Sequence, residues 1–458
     1  MANDLFPHGS SYRDPSGFIF LKEGIFFRQI NLSFKGDFDH FISSGCYSHL
    51  VKKGLLLEHT DEPDDLSSDP DYYKTIRPEQ LGYISYPYEW CFNMLKDAAL
   101  ITLQLVKECL PFGITLKDAT PYNIQWHHGK LIFIDTLSFE KYDYSQPWIA
   151  YHQFCESFLA PLLLMHYNKL PLHELMLGYP NGIPLPVVHV LLPWKSRLSL
   201  HTYLHIHLHA KIAAKANTKE KQKIVFSQKK LLNLINSLDI LVSSLKLKET
   251  KSAWLAYYDE AAQRKDYLQQ KQKIIQQWLA EINGIKTAVD FGANEGEFSN
   301  LVADKEIDTV AVDFDHLAIN RLYKKIKISG QKHILPLIAD LSNPSPAIGV
   351  NNKERLSFIK RTKVELAFAL ALIHHLAIGK NIPFSLVVEM FAEMTDYLVI
   401  EFIPKEDEKV QLMLRHKADI YKKYNEHEFI KEFGARFSIL AKAKIADSGR
   451  TLFLMQKK

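Results

Sequence analysis

The chain has 458 residues, 47% of them hydrophobic and 24% charged, which is too long for one ordinary core and predicts two domains or more. A net charge of +4 argues against a dedicated nucleic-acid binder, and no apolar run is long enough to span a bilayer. The four cysteines, Cys46, Cys91, Cys109 and Cys155, are scattered with no CxxC pair. That argues against a zinc knuckle or a disulfide framework and predicts a reducing, cytoplasmic setting. The opening "MANDLFPHGSSYRDPSG" has no apolar core region, so no signal peptide is expected.

In chain order, "GFIFLKEG" and "IFFRQINL" read as short strands, followed by an amphipathic stretch from Asp37 to Lys53 and the acidic loop "DEPDDLSSDPD". A helix is predicted from Trp90 to Cys109, with Leu95, Ala99, Thr102, Leu103 and Val106 on one face. The loop–strand unit "LKDATPYNIQWHHGKLIFIDTLSFE" comes next, then a mostly helical region from Trp148 to about Asp239, interrupted at "GYPNGIPLP". Within it, the Lys-rich "AKIAAKANTKEKQKIVFSQKK" reads as a solvated helical face or a connector. "SAWLAYYDE" and "YLQQKQKIIQQWL" predict helices whose Tyr257, Tyr258 or Tyr267 could cover a ligand, although packing is the commoner role of such aromatics.

After Ala280 strands alternate with helices, the pattern of a parallel sheet with covering helices. The strands are "TAVDF", "TVAVDF", "HILPLIAD", "VELAFALALI" and "TDYLVIEFI". "FSILAKAKIA" and "TLFLMQKK" flank the turn "DSGR" and predict an antiparallel hairpin. The expected organisation is an α+β domain over 1–215, a helical connector over 216–252 and an α/β domain over 253–458.

The loop after "TAVDF" reads Asp290-Phe-Gly292-Ala-Asn294-Glu-Gly296. Small residues let the backbone approach a ligand, and the helix that follows presents backbone N–H groups. The glycine spacing is not the G-x-G-x-x-G of a dinucleotide loop, and no Gly-Lys-Ser/Thr of a P-loop is present. Glu295 and Glu297 place acid where a pyrophosphate wants a cation, which suits a ligand with a cationic amino acid moiety. Asp313 ends the second strand, about where a carboxylate takes ribose hydroxyls, and Asp340 ends the third, within reach of an exocyclic adenine amine.

Three acidic strand tips around a glycine loop, with the terminal hairpin, resemble the class I S-adenosylmethionine-dependent methyltransferases. The resemblance spans Trp254 to Lys458 and implies a Rossmann-like seven-stranded sheet. It further implies that Asp290, Gly292, Asn294 and Gly296 surround the methionine part of S-adenosylmethionine, with Asp313 on the ribose and Asp340 at the adenine edge. Methyl transfer is an in-line displacement, so a base is needed only when the nucleophile carries a proton that must leave. "ALIHHLAIGKNIPF" places His374 and His375 at the end of the fourth strand as candidate bases, in a segment similar to the "LLHHL" type of many methyltransferases. Glu401, Lys405 and Asp407 follow the fifth strand as catalytic or substrate contacts. An N-P-P-Y-type tetrapeptide is absent, which argues against the common amide and adenine-amine methylases.

Upstream, Asp118 and Asn123 stand five apart and Asp135 follows twelve later at the end of an apolar strand. This spacing resembles the catalytic loop of protein kinases and small-molecule phosphotransferases, in which the Asp residues act as base and metal ligand, and the resemblance implies a kinase-like α+β fold for residues 1–215. "LKD" replaces the usual lead-in, no glycine-rich loop precedes it, and Lys22, Arg28 and Lys35 are the stand-ins for the strand lysine. His205, His207 and His209 alternate in "HIHLHAK" and "WHHGK" adds His127 and His128. No carboxylate or cysteine completes a set in the sequence, so no metal is expected.

As a whole, through "ISYPYEWCFNMLKDAALITL", "LKDATPYNIQW", "VDFGANEGEFS" and "IEFIPKED", the chain is similar to the bacterial methyltransferases related to the nodulation protein NoeA. The expected activity is methyl transfer from S-adenosylmethionine to an unidentified O, N or C acceptor, a small molecule or protein rather than a nucleic acid or a membrane. The N-terminal domain would recruit or shape the substrate. The alternatives are an ATP-dependent phosphotransferase using Asp118, Asn123 and Asp135, and a non-catalytic scaffold.

Overall fold

The computed structural model describes residues 8–67, 69–171, 174–210, 226–248, 265–415, 420–446 and 448–458. The chain divides into two compact units, Met1–Lys248 with Ile348–Arg355, and Glu249–Ala347 with Leu356–Lys458. Most of the Lys-rich stretch, together with Tyr257 and Tyr258, lies outside the described residues. Among the described residues no helix is long and apolar enough to cross a membrane. All four cysteines are buried and none forms a disulfide.

The first unit opens with four antiparallel strands, β1 (Gly17–Lys22), β2 (Ile25–Asn31), β3 (His59–Glu62) and β4 (Tyr72–Pro78), in the order β1-β2-β4-β3. Phe20, Phe27, Ile30 and Ile76 point into its core. Glu23 and Gly24, with φ of 53° and 80°, make the two-residue turn between β1 and β2. The expected amphipathic stretch becomes two helices, α1 (Lys35–Ser43) and α2 (Cys46–Lys52), because Gly45 between them takes φ 84° and breaks the ladder. Helix α3 (Phe92–Cys109) buries the predicted stripe of Leu95, Ala99, Thr102, Leu103 and Val106.

After α3 come β5 (Ile114–Leu116), paired with β8 (Phe139–Lys141), and the hairpin of β6 (Ile124–His127) and β7 (Lys130–Phe133). The described end of the expected connector belongs to this unit. There helix α4 (Gln228–Ser244) is tied to α3 by Lys107 and Asp239, 2.5 Å apart.

The second unit carries a seven-stranded sheet in the order β11-β10-β9-β12-β13-β15-β14. Its strands are β9 (Thr287–Phe291), β10 (Asp308–Asp313), β11 (Ile334–Ile338), β12 (Val364–Ala369), β13 (Thr395–Phe402), β14 (Phe437–Lys444) and β15 (Thr451–Lys457). The first five are parallel, and β15 runs antiparallel to both β13 and β14. This is the seven-stranded order with a terminal antiparallel hairpin that the class I methyltransferase resemblance implies. The parallel strands are buried on both faces and read as nearly continuous apolar runs, as covering helices require. Helix α5 (Lys265–Glu281) lays Ile275, Trp278 and Leu279 on Ala288, Phe368 and Leu454 of the sheet.

Candidate active site

The carboxyl ends of β9, β10 and β12 lie side by side, since Phe291 pairs with Val312 on one side and Ala369 on the other. At this edge the loop after β9 is locked down: the N–H groups of Gly292 and Ala293 both donate to the carbonyl of Val312, at 2.8 and 2.9 Å. Gly292, Asn294 and Gly296 all take positive φ, 78°, 48° and 83°. At Gly296 space is short as well, because a Cβ there would meet Leu322 Cδ1 at 2.6 Å. Gly296 then caps helix α6 (Glu297–Ala303).

Above this edge lies a cavity of about 320 Å³. Asp290, Gly292, Asn294, Asp313 and Asp340 line it together, as does His375. Asp313 Oδ2 accepts the Asn294 N–H at 2.9 Å and Oδ1 accepts the Asp315 N–H at 2.8 Å, which pins the tip of β10 to the glycine loop. Asp290 accepts from Ser299 Oγ at 2.7 Å. Burial raises both carboxyls from 3.8 to about 6, Asp290 and Asp313 alike. Asp340 is more open, and hydrogen bonds from Ser342, outweighing its partial burial, hold its carboxyl below the usual range. Asn294 Oδ1 is buried without a hydrogen-bond partner.

Other expectations need correction. Glu295 does not line the cavity: its carboxylate pairs with Arg321 at 2.6 Å and with Lys325, both on helix α7 (His316–Ser329). Its charge is therefore answered within the fold, and of the two loop acids only Glu297 reaches the cavity. His374 is 1% exposed and stands behind the wall, with Nδ1 unpartnered and its pKa pushed well below 6.5 by burial. His375 is on the wall, and burial lowers it to about 4.

Glu401 is fully buried and also stands behind the cavity. Its carboxylate accepts from Lys271 Nζ at 2.6 Å, from Tyr267 Oη at 2.5 Å and from the Ala371 N–H at 2.8 Å. Burial alone would raise its pKa, but the charges of Lys271 and Arg450 hold it below the usual carboxylate value. Asp407 is likewise spent, on a bidentate pair with Arg450 at 2.8 and 3.2 Å. Lys405 is not among the lining residues.

Sequence reasoning missed Phe314, Ala371, Lys271 and Arg450, all on the cavity wall. Phe314 directly follows Asp313 and is 54% exposed, a large apolar side chain standing where water would otherwise be. Ala371 takes φ 51°, a strained conformation for a residue with a Cβ, at the point where the chain leaves β12. Position after a strand tip was the signal for both; nothing local marks Lys271 or Arg450.

In the first unit, Asp118, Asn123 and Asp135 converge around one charge. Asp135 pairs with Arg28 on β2 and accepts from Ser138 Oγ and, at 3.4 Å, from Asn123 Nδ2. Burial opposes its ionisation, yet Arg28 holds its carboxyl below the usual value. Asp118 is raised, by burial first and by Asp135 second. Of the three stand-ins for a strand cation, Arg28 is the one at the cluster. His205 and His207 do not share a face as metal ligands: they lie on a π-helical turn (Tyr203–Leu208). His205 bonds Tyr151 and Ser237, whereas His207 bonds His189 and Ser196.

No family model matches the chain. Over an alignment of 461 positions that covers 98% of this chain and 95% of the relative, it is 31% identical to the nodulation protein NoeA of Rhizobium meliloti (strain 1021). Among solved structures it is similar to the N-methyltransferase NodS from Bradyrhizobium japonicum WM9, at 12% identity over 42% of this chain and 97% of that one, with a TM-score of 0.31. It is also similar to the bifunctional kinase-methyltransferase WbdD, at 16% identity over 43% of this chain and 39% of that one, with a TM-score of 0.28. At 31% identity over nearly its full length, the chain belongs to the NoeA family.

Proposed function

We propose that the second unit binds S-adenosylmethionine in the cavity at the carboxyl ends of β9, β10 and β12 and transfers its methyl group to an O, N or C acceptor. The acceptor in this reading is a small molecule or a protein, the first unit recruits or shapes it, and the setting is cytoplasmic. One observation carries the proposal: Asp313 is drawn onto the Gly292–Gly296 loop while Asn294 Oδ1 stays buried and unpartnered beside it. An orphaned buried acceptor costs about 1–3 kcal/mol unless a ligand satisfies it.

When bound, the cofactor supplies a methyl group activated by sulfonium charge. Asp290, Gly292 and Asn294 would hold its methionine part, Asp313 the ribose hydroxyls, and Asp340 the adenine edge. Phe314 and Leu341 supply apolar wall beside these acids. Displacement depends chiefly on alignment, so the chain's main contribution is to fix the loop and exclude water. His375, neutral above about pH 4, is a weak base; this suits a nucleophile that attacks through a lone pair it already carries.

The phosphotransferase reading draws less support. Asp135 is committed to Arg28, and the two-residue turn between β1 and β2 leaves no loop there to cover phosphates. The test is to incubate the full chain with isotope-labelled S-adenosylmethionine and cell extract, then identify the labelled product by mass. Label in a discrete product supports the proposal, and none above a protein-free control rejects it.

A further inference from the structure

We propose that Glu79, His127 and His128 of the first unit form a binding site for one divalent ion of the zinc, nickel and copper class. None of these residues lines the glycine-loop cavity, and the proposal does not depend on the function proposed for that cavity. One ligand atom from each residue lies within 4.8 Å of the other two. His127 Nε2 is 3.1 Å and His128 Nε2 3.9 Å from the same oxygen, Glu79 Oε1. A tetrahedral ion with bonds of about 2.0 Å separates its ligands by about 3.3 Å. The first pair is already close to that edge length. The second closes by rotation of the His128 side chain, which is 61% exposed.

The backbone prepares the arrangement. β6 and β7 pair through His127 and Lys130, leaving His128 and Gly129 as a two-residue turn with φ of 46° and 80°. Such turns favour Asn-Gly, because both central residues need positive φ. Histidine at the first of them is an observed strain, and it sets the two imidazoles side by side with ring centroids 4.0 Å apart. Glu79 is fixed from the other side, immediately after β4, by its N–H donating to the Glu58 carbonyl at 2.9 Å. His127 is 11% exposed, so one ligand is held by packing while the other two face solvent.

Two imidazoles and one carboxylate are a borderline donor set. They suit zinc, nickel or copper and serve magnesium or calcium poorly, since those ions want oxygen throughout. The remaining coordination position opens to water. Metal here would join the end of β4 to the β6–β7 turn and act as a clamp within the first unit.

The test is zinc titration of the full chain by calorimetry, beside His128→Asn and Glu79→Gln. Asn tolerates the left-handed turn position, so H128N keeps the hairpin and removes a ligand; its metal-free melting temperature checks the fold. The chain has 20 histidines, so the readout is the difference between proteins and not total binding. The proposal expects wild type to show one zinc equivalent that H128N and E79Q each bind at least tenfold more weakly, while magnesium gives no such event. Identical isotherms for wild type and H128N overturn it, and so does a wild type that takes no zinc.

Discussion

Glu401 Oε2 accepts a hydrogen bond from Lys271 Nζ at 2.6 Å, and both side chains are buried. The same carboxyl receives the N–H of Ala371, the strained residue at the tip of β12, so one acid ties α5 to the cavity wall. Removing a single partner from a buried pair leaves an uncompensated charge. Glu401→Gln is therefore expected to cost about 3 kcal/mol in urea unfolding followed in the second unit, and Lys271→Met less, because Arg450 still faces the carboxylate. The double replacement should cost less than the two single ones added together, because Glu401→Gln alone strands the buried Lys271 charge that the second change removes.

Asp313 gives the site a pH signature. Its folded value of about 6 lies above the ordinary 3.8, so its share of folding stability is present below 3.8 and lost as pH rises through about 6. Ligand binding runs the other way, because the ionised carboxylate is the better acceptor for ribose hydroxyls. S-adenosylhomocysteine affinity should rise between pH 5 and 7 with an apparent midpoint about 6. In Asp313→Asn that rise should shrink to the part left by Asp290, which shares the same range, and affinity at pH 7.5 should fall tenfold or more.

Much of the second unit was legible in the sequence. "TAVDF" is β9 residue for residue, and the hairpin around "DSGR" is β14 and β15. "VELAFALALI" misled at its end: the strand stops at Ala369 because Ala371 turns to positive φ, a conformation no alanine advertises. Glu401 looked like a strand-tip acid open to substrate. What buries it is Lys271, 130 residues earlier in the chain, together with Tyr267 and Arg450. Alternation and spacing report local geometry and cannot foresee partners at that distance. His374 and His375 show the same limit, since adjacent residues on a helical turn face different sides and only packing decides which reaches the cavity.

The glycine loop separates two kinds of constraint. At Gly292 a Cβ finds nothing nearer than 3.9 Å, so Gly292→Ala bears backbone strain alone, about 1–2 kcal/mol. At Gly296 the same strain adds to a contact of 2.6 Å with Leu322, so Gly296→Ala should melt several degrees lower than Gly292→Ala. Differential scanning calorimetry of the two variants orders them directly.

Asp135 depends on Arg28 for its charge. Arg28→Ala is expected to destabilise the first unit by about 3 kcal/mol at pH 7. Because the Asp135 carboxyl is lowered in the fold, its share of stability is present above 3.8 and lost as pH falls through the lower folded value. Urea titrations at pH 7 and at about pH 2.5 should show the gap between wild type and variant narrowing in acid. Magnesium-ATP should leave the melting temperature of the wild-type chain unchanged.

The central claim is that the loop from Asp290 to Gly296 and the tip of β10 hold S-adenosylmethionine. Calorimetric titration of the full chain with S-adenosylhomocysteine at pH 7.5 tests it most directly. The account predicts one binding event per chain, weakened tenfold or more in Asp313→Ala while the variant stays folded. A wild-type chain that gives no binding heat and no rise in melting temperature, or an Asp313→Ala variant that binds as tightly as wild type, would contradict it.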